Sequence, residues 1–285
     1  MKIVSDLDLT SYNSYRIPAV CKRAFFPESE AEIQQIFQEY PETKKIIIGS
    51  GHNIIFSKDR YEDDFIIFSG NFEKVICEDD KISAESGVSM LDLSNVALSY
   101  SLSGLELFYD IPSSLGGAIV MNAGASGEDI QSLLLKVRYY DPQADVFKEV
   151  ERTGLDFEYR NSFFQQNPHL IITHAFLQLR HGDKQEIGDK MENNKKLRWA
   201  KQPKEFPNAG SVFKRPKGHF VGVMMEEMGL KGYTVGGARI SEKHGGFIVN
   251  FGNATGKDIL EIIALVKERV LETYALNIEV EQRIN

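Results

Sequence analysis

A chain of 285 residues, 42% hydrophobic and 26% charged, is long enough for one large domain or two moderate ones, each with a buried core. A formal net charge of −8 and a pI near 5.4 argue against a nucleic-acid groove or an anionic membrane surface as the main partner. Two cysteines set far apart, Cys21 and Cys77, argue against a disulfide framework or a zinc site, and no run is long enough to span a bilayer. The expectation is a cytosolic, cytoplasmic protein with no bound metal.

The opening MKIVSDLDLT has no apolar core and carries acids early, so it does not read as a secretion signal. KKIIIGSGHNIIF predicts a strand over residues 46–48, a tight loop made of Gly49, Ser50, Gly51, His52 and Asn53, and apolar residues beyond it. Glycines let backbone approach a ligand closely, and successive N–H groups can cradle a pyrophosphate. The loop lacks the third glycine and following helix of a dinucleotide fingerprint, and no Gly-Lys-Ser/Thr follows it. Alone it is better explained as a plain strand–turn–strand. FEKVICEDDKISAESG alternates as a hairpin about Asp79 and Asp80, and SMLDLSNVALSYSL predicts a helix with Ser89 and Asp92 at capping-box spacing.

A second stretch of small residues lies in apolar sequence: Pro112, Ser113, Ser114, Gly116 and Gly117, then Asn122, Ala123 and Gly124. Such density means backbone packed closely, either on other backbone or on a flat cofactor; two such loops in one chain favour the cofactor. LLKVRYYDPQADVFKEVE predicts a hairpin turning at Asp141 and Pro142, and LIITHAFLQLR a further strand. Between them, Tyr159 and Arg160 form a cation–aromatic pair of a kind common on surfaces.

From Lys184 a polar helical stretch runs into Pro203, which places a boundary between domains at 1–183 and 184–285. In NAGSVFKRP a single hydroxyl, Ser211, sits between a small-residue turn and an apolar pair, with Lys214 and Arg215 behind it. A turn into a strand explains it on its own. Thr255 and Asp258 frame another capping box, and Ile259, Leu260, Ile262, Ile263, Val266, Val270 and Leu271 recur as a core stripe behind it. In the closing NIEVEQRIN, if Ile278, Val280 and Ile284 face the core, then Glu279, Glu281 and Arg283 share the other face.

These segments, in this order, resemble the UDP-N-acetylenolpyruvoylglucosamine reductases, also called UDP-N-acetylmuramate dehydrogenases, flavoenzymes of bacterial peptidoglycan synthesis. The resemblance runs from about Asn13 to Arg283 and rests on IPSSLGGAIVMNAGA, YRNS, QPKEFPNAGSVFKRP, GLKGYTVGGARISEKHGGFIVN and the closing Glu-X-Arg. It implies an α+β chain: an FAD-binding domain of the PCMH or vanillyl-alcohol-oxidase type, then a smaller C-terminal α+β domain for substrate. It implies FAD contacts along the two small-residue stretches, NADPH as hydride donor, and a UDP-sugar enolpyruvyl ether as substrate, handled by a monomer.

By the same resemblance Ser211 matches the proton donor. Arg160 matches the arginine that polarises the substrate carboxylate, and Glu281 the acid that steadies the same intermediate. Tyr159, Lys214, Arg215 and Arg283 are the implied substrate contacts. The short spacing from Arg160 to Ser211 resembles the shorter-chain, type II branch. The chain departs from the pattern in the stretch from Asn13 to Val20, where the family's paired glycines are gone, at Asp110 and Ser113, where the family tends to have glycine, and at His52, where it has serine. Related flavin oxidases hold FAD covalently through a histidine in such a loop; an ordinary loop histidine that meets phosphate or solvent is the preferred reading. Two other functions stay open: an FAD-dependent oxidase of the same fold, and a flavin- or UDP-sugar-binding paralogue without turnover.

Overall fold

Alternating runs broken by Asp-rich turns build a five-stranded antiparallel sheet, ordered Val146–Glu151, Leu134–Asp141, Ile171–Gln178, Lys81–Glu85, Val75–Glu78. Both hairpins expected from the sequence are there. Asp79 adopts a φ of +55° in the two-residue turn between Glu78 and Lys81, a conformation that aspartate tolerates better than most residues. The other turn is set by Asp141, whose Oδ1 accepts from the N–H groups of Gln143 at 3.1 Å and Ala144 at 3.3 Å. Successive side chains point to opposite faces. Tyr139 therefore joins a core with the helices Met90–Ser99 and Leu115–Val120, while Tyr140 joins another with the helix Glu30–Glu39.

The computed structural model describes residues 1–285 and divides by contact into two compact units. The first comprises Met1–Val4, Arg23–Ser50 and Asp63–Arg198, the second Ser5–Lys22, Gly51–Glu62 and Trp199–Asn285. The division thus falls inside the GSGHN loop. The polar helix Lys184–Lys201 begins where the sequence suggested a boundary, and the units part near its C-terminal end. In the first unit, Lys45–Ile48 runs parallel to residues 64–67 of the strand Arg60–Ile67. The fully buried Asp64 there takes a two-pronged ion pair from Arg23, at 2.9 and 2.8 Å.

The second unit has a three-stranded antiparallel sheet, Thr234–Val235, Ala238–Ile240 and Ile248–Asn250, which shares one core with the helices Val221–Glu227 and Gly256–Tyr274. The expected capping box is formed: Thr255 Oγ1 accepts from the Asp258 N–H, and the Asp258 carboxylate accepts from the Thr255 N–H. Ile259, Ile262, Ile263, Val266 and Val270 are buried, but Leu271 is 48% exposed. One residue past Val270 is a turn of about 100° around the helix, which carries Leu271 off the stripe. No helix is long and apolar enough to cross a membrane.

Helix Glu30–Glu39 is anchored at its first residue. The Glu30 carboxylate accepts from Arg138 Nε at 2.8 Å and Nη2 at 3.0 Å, and from Thr173 Oγ1 at 2.7 Å, with His174 Nδ1 at 3.4 Å. Burial alone would raise its pKa, but the nearby His174 ring, the bonds from Arg138 and Thr173 and the Arg138 charge outweigh it and lower the pKa to about 2. A depressed folded pKa contributes stability that is full above the unfolded value, about 4.3, and is lost as pH falls toward 2. Glu30→Gln should therefore cost on the order of 1–2 kcal/mol at pH 7, after discounting for solvent screening at this partly exposed site. In urea unfolding the gap to the parent protein should close between pH 5 and pH 2; a gap independent of pH would contradict this assignment.

Candidate functional site

The two small-residue stretches singled out in the sequence meet in the first unit. The Ser114 N–H donates to Ser50 Oγ at 3.1 Å. A Cβ on Gly49 would overlap Ser114 Oγ, and one on Gly117 would crowd the Ser113 and Ser114 hydroxyls. Ser114 caps the helix Leu115–Val120 by accepting from the Gly117 N–H at 3.3 Å. Gly116 packs on Ser86 and donates its N–H to the Ser86 carbonyl at 2.8 Å. Ser86 Oγ is buried and has no hydrogen-bond partner. A floor of glycines and hydroxyls with an unmet buried donor fits a flat polar cofactor, and FAD is the one the resemblance implies. Pro112 lies exposed beside it.

Asn122, also on the expected cofactor stretch, is buried, and its side chain is committed to protein. It donates to the Glu158 carbonyl at 3.0 Å and to Asp129 at 3.3 Å, and accepts from the Gln131 N–H at 3.4 Å. Holding Glu158 also holds the turn that carries Tyr159 and Arg160. Arg160 takes a left-handed φ of +54°, unfavourable for a residue with a Cβ. Its Nη1 donates to the Asn122 carbonyl at 3.1 Å and its Nη2 to the Gly124 carbonyl at 2.7 Å. Ala123 lies between those two carbonyls, and the guanidinium sits 5.2 Å from the ring of the exposed Tyr159. Arg160 is thus locked to the stretch expected to meet the flavin. Asp110, one of the departures from the family pattern, receives a hydrogen bond from Arg198 Nε at 3.1 Å.

In the second unit Ser211 is exposed and pairs as an isolated bridge with Phe247. The next residues align with the C-terminal segment: the Glu281 N–H donates to the Val212 carbonyl at 2.8 Å, and the Lys214 N–H to the Glu279 carbonyl at 2.9 Å. Ser211 and Glu281, far apart in sequence, therefore lie on extended segments that meet at an isolated bridge, Phe213 with Val280. The segment continues into the loop: the Arg283 N–H donates to the Asn53 carbonyl at 2.9 Å, Asn53 Nδ2 reaches the Glu281 carbonyl at 3.3 Å, and Arg283–Ile284 runs parallel to Ile54–Ile55. Half-buried His52 sits in the same loop, and Ser14, whose N–H donates to the Gly51 carbonyl, has a buried hydroxyl without a partner. Lys214 pairs with Glu279 at 3.0 Å, and Arg215 stacks 4.1 Å from the ring centroid of the exposed Phe220.

The terminal alternation holds from Ile278 to Gln282, but Ile284, though paired with Ile55, lies beyond a bend at Gln282 and is 48% exposed. The third inward position is instead Gln282, which is buried. Gln282 and its partner Tyr15 went unnoticed in the sequence, where a glutamine in an alternating terminal strand reads as surface. His244 was also passed over; it lies among the glycines of SEKHGGF, the loop bridged to Ser211. The Gly246 N–H donates to its Nδ1 at 3.1 Å, and burial lowers its pKa, so a neutral ring protonated at Nε2 is favoured. No group of three or more His, Cys, Asp or Glu side chains is placed to hold a metal ion.

Comparison with known proteins agrees with both units. A family described as the C-terminal domain of UDP-N-acetylenolpyruvoylglucosamine reductase matches residues 202–285, and one described as an FAD binding domain matches residues 21–148. The chain is similar to the UDP-N-acetylenolpyruvoylglucosamine reductase of Francisella tularensis, with 39% identity over 97% of this chain and 98% of that one. It is also similar to that of Syntrophomonas wolfei, with 42% identity over 97% of this chain and 92% of that one. The crystal structure of UDP-N-acetylenolpyruvylglucosamine reductase from Thermus caldophilus superposes with a TM-score of 0.83 at 30% identity, covering 99% of this chain and 98% of that chain.

One backbone requirement of the site can be measured directly. Gly51 has a φ of +71°, and a Cβ there would overlap the Tyr12 carbonyl; Gly70 has a φ of +82° with nothing within 4 Å. Gly70→Ala should cost only the left-handed strain, about 1–2 kcal/mol. Gly51→Ala should lower the urea midpoint clearly more, because backbone must move as well; equal losses would mean that the close approach at Gly51 does not matter.

Proposed function

The chain belongs to the UDP-N-acetylenolpyruvoylglucosamine reductase family, and from that premise we propose how its own residues carry out the reduction of a UDP-linked enolpyruvyl ether. FAD, when bound, would supply hydride transfer between NADPH and the enolpyruvyl double bond. Gly49, Ser50, Ser113, Ser114, Gly116, Gly117 and the 122–124 backbone would hold it in the first unit; Gly51, His52 and Asn53 are the further contacts that the resemblance implies.

A hydride arriving at the carbon remote from the carboxylate leaves negative charge on the adjacent carbon and on the carboxylate oxygens. The work left to the protein is to stabilise that charge and deliver one proton. Arg160 does the first: its guanidinium is permanently charged and planar, and its fork suits a carboxylate whose charge is growing. Two carbonyls already orient it, so little reorganisation is needed during reaction. Ser211 does the second, with Oγ holding the proton. A hydroxyl is a weak acid, and it serves only because the acceptor carbon is strongly basic and the geometry is held. Glu281 is either protonated or acts through a hydrogen bond, since a bare carboxylate would repel the developing charge. Tyr159, Lys214, Arg215 and Arg283 would receive the rest of the substrate, the cations meeting its phosphate oxygens.

The observation that supports this reading best is the backbone bond from Glu281 to Val212, which joins the segments that carry two of the three implied residues. We take the enzyme to act as a monomer in the cytoplasm, the setting suggested by its acidic composition and sparse cysteines.

Ser211→Ala provides the test. The variant is reduced anaerobically with NADPH and mixed with the enolpyruvyl substrate. Return of the flavin absorbance should slow by roughly 10²–10⁴-fold, the usual contribution of a general acid, while bleaching by NADPH keeps its rate. Return at the parent rate would remove Ser211 from the proton-donor role.

A further inference from the structure

Gln282 is 3% exposed and bonds Tyr15, which is fully buried in the apolar core of the second unit. An amide in such a place is costly unless its atoms are satisfied. Here they are. Oε1 accepts from the Tyr15 hydroxyl at 2.9 Å, and Nε2 donates to the carbonyls of Ala209 at 3.0 Å and Gly210 at 3.2 Å, with the Ser211 carbonyl at 3.5 Å. Carbonyls can only accept, so the amide nitrogen must face the loop and the amide oxygen must face the phenol. The phenol must then donate, and burial raises its pKa, which keeps it protonated.

The loop under this amide is the one that presents Ser211. Gly210 has a φ of +80° and nothing within 4 Å of where a Cβ would stand, so local sterics do not fix it. It is held by hydrogen bonds on two sides. From one side, Asn208 Oδ1 accepts from the Gly210 N–H at 3.1 Å, while its Nδ2 donates to the carbonyls of Pro203 and Phe206, both at 2.9 Å. From the other, Gln282 takes the carbonyls. Gln282 also sits between Glu281 and Arg283 on the strand paired with Val212. One buried amide therefore sets the height of the Ser211 loop relative to the strand that carries Glu281.

We propose that Gln282, oriented by Tyr15, is a positioning residue for proton delivery: it fixes the Ser211 loop against the Glu281 strand. This rests on the reading of Ser211 as proton donor. Displacing a reacting group by about an ångström can cost on the order of 10²-fold in rate. Such a loss would fall on the step that uses Ser211 and spare hydride transfer from NADPH.

The experiment compares Gln282→Met, similar in length without the amide, with Tyr15→Phe and Ser211→Ala in the flavin-loaded enzyme. Gln282→Met should slow flavin reoxidation at saturating enolpyruvyl substrate by roughly 10–100-fold. Substrate KM should move less than about threefold and NADPH bleaching should be unchanged, and the solvent deuterium isotope effect on reoxidation should rise as protonation becomes more limiting. Tyr15→Phe, which keeps both loop bonds, should slow the same step several-fold and serves if Gln282→Met folds poorly. If Ser211→Ala is slow while Gln282→Met and Tyr15→Phe reoxidise at the parent rate, or lose both half-reactions alike, Gln282 supports the fold and does not position the donor. If Ser211→Ala itself reoxidises at the parent rate, the reading of Ser211 fails and the positioning role falls with it.

Discussion

A buried amide has no water to turn to, and in the second unit that constraint decides how the candidate site is assembled. Gln282 must spend its oxygen on Tyr15 and its nitrogen on the carbonyls of the Ser211 loop. The two flanking residues are thereby placed as well. Glu281 lies beside Val212, and Arg283 ties to Asn53. Four separate stretches of chain, from Tyr15 through the GSGHN loop and the Ser211 turn to the C-terminal strand, are joined by bonds that a small shift would leave unmade. Leaving a buried donor or acceptor unmet costs about 1–3 kcal/mol, enough to hold a glycine-containing loop in one arrangement.

The first unit reaches order by another route. Its expected cofactor stretches are held by close approach: small residues let Gly49, Ser50 and Ser113–Ser114 come together, and a side chain at Gly49 would have no room. Asn122 illustrates how a residue on such a stretch can be spent on scaffold. Its amide holds the Glu158 turn, and its own carbonyl is one of the two that orient Arg160. Arg160 in turn accepts a left-handed backbone, a strain that its surroundings must over-determine.

Much of this was legible in the residues. Period-two runs with Asp turns gave both hairpins, Ser89 and Thr255 marked helix starts, and the stripe from Ile259 to Val270 faced inward as expected. Ser211 was visible only as an ordinary turn serine until the longer resemblance singled it out. Leu271 and Ile284 look like core by hydrophobicity, yet one lies a rotation off the helix face and the other beyond a bend at Gln282 that breaks the alternation. Gln282 was hidden for the opposite reason. Polarity in an alternating strand signals solvent, and only the distant Tyr15 and the Ala209 and Gly210 carbonyls make burial tolerable there. The discontinuous units were illegible because three stretches of chain make each one, and composition along the sequence does not record which stretches pack together.

In the proposed reaction a hydride passes from NADPH to an enolpyruvyl ether through bound flavin. The most direct measurement is an anaerobic titration of the purified protein followed by its visible spectrum. One equivalent of NADPH should bleach the flavin, and one equivalent of UDP-N-acetylenolpyruvoylglucosamine should then restore it with formation of UDP-N-acetylmuramate. Bleaching that the enolpyruvyl substrate fails to reverse, or a protein that binds no flavin, would contradict the account.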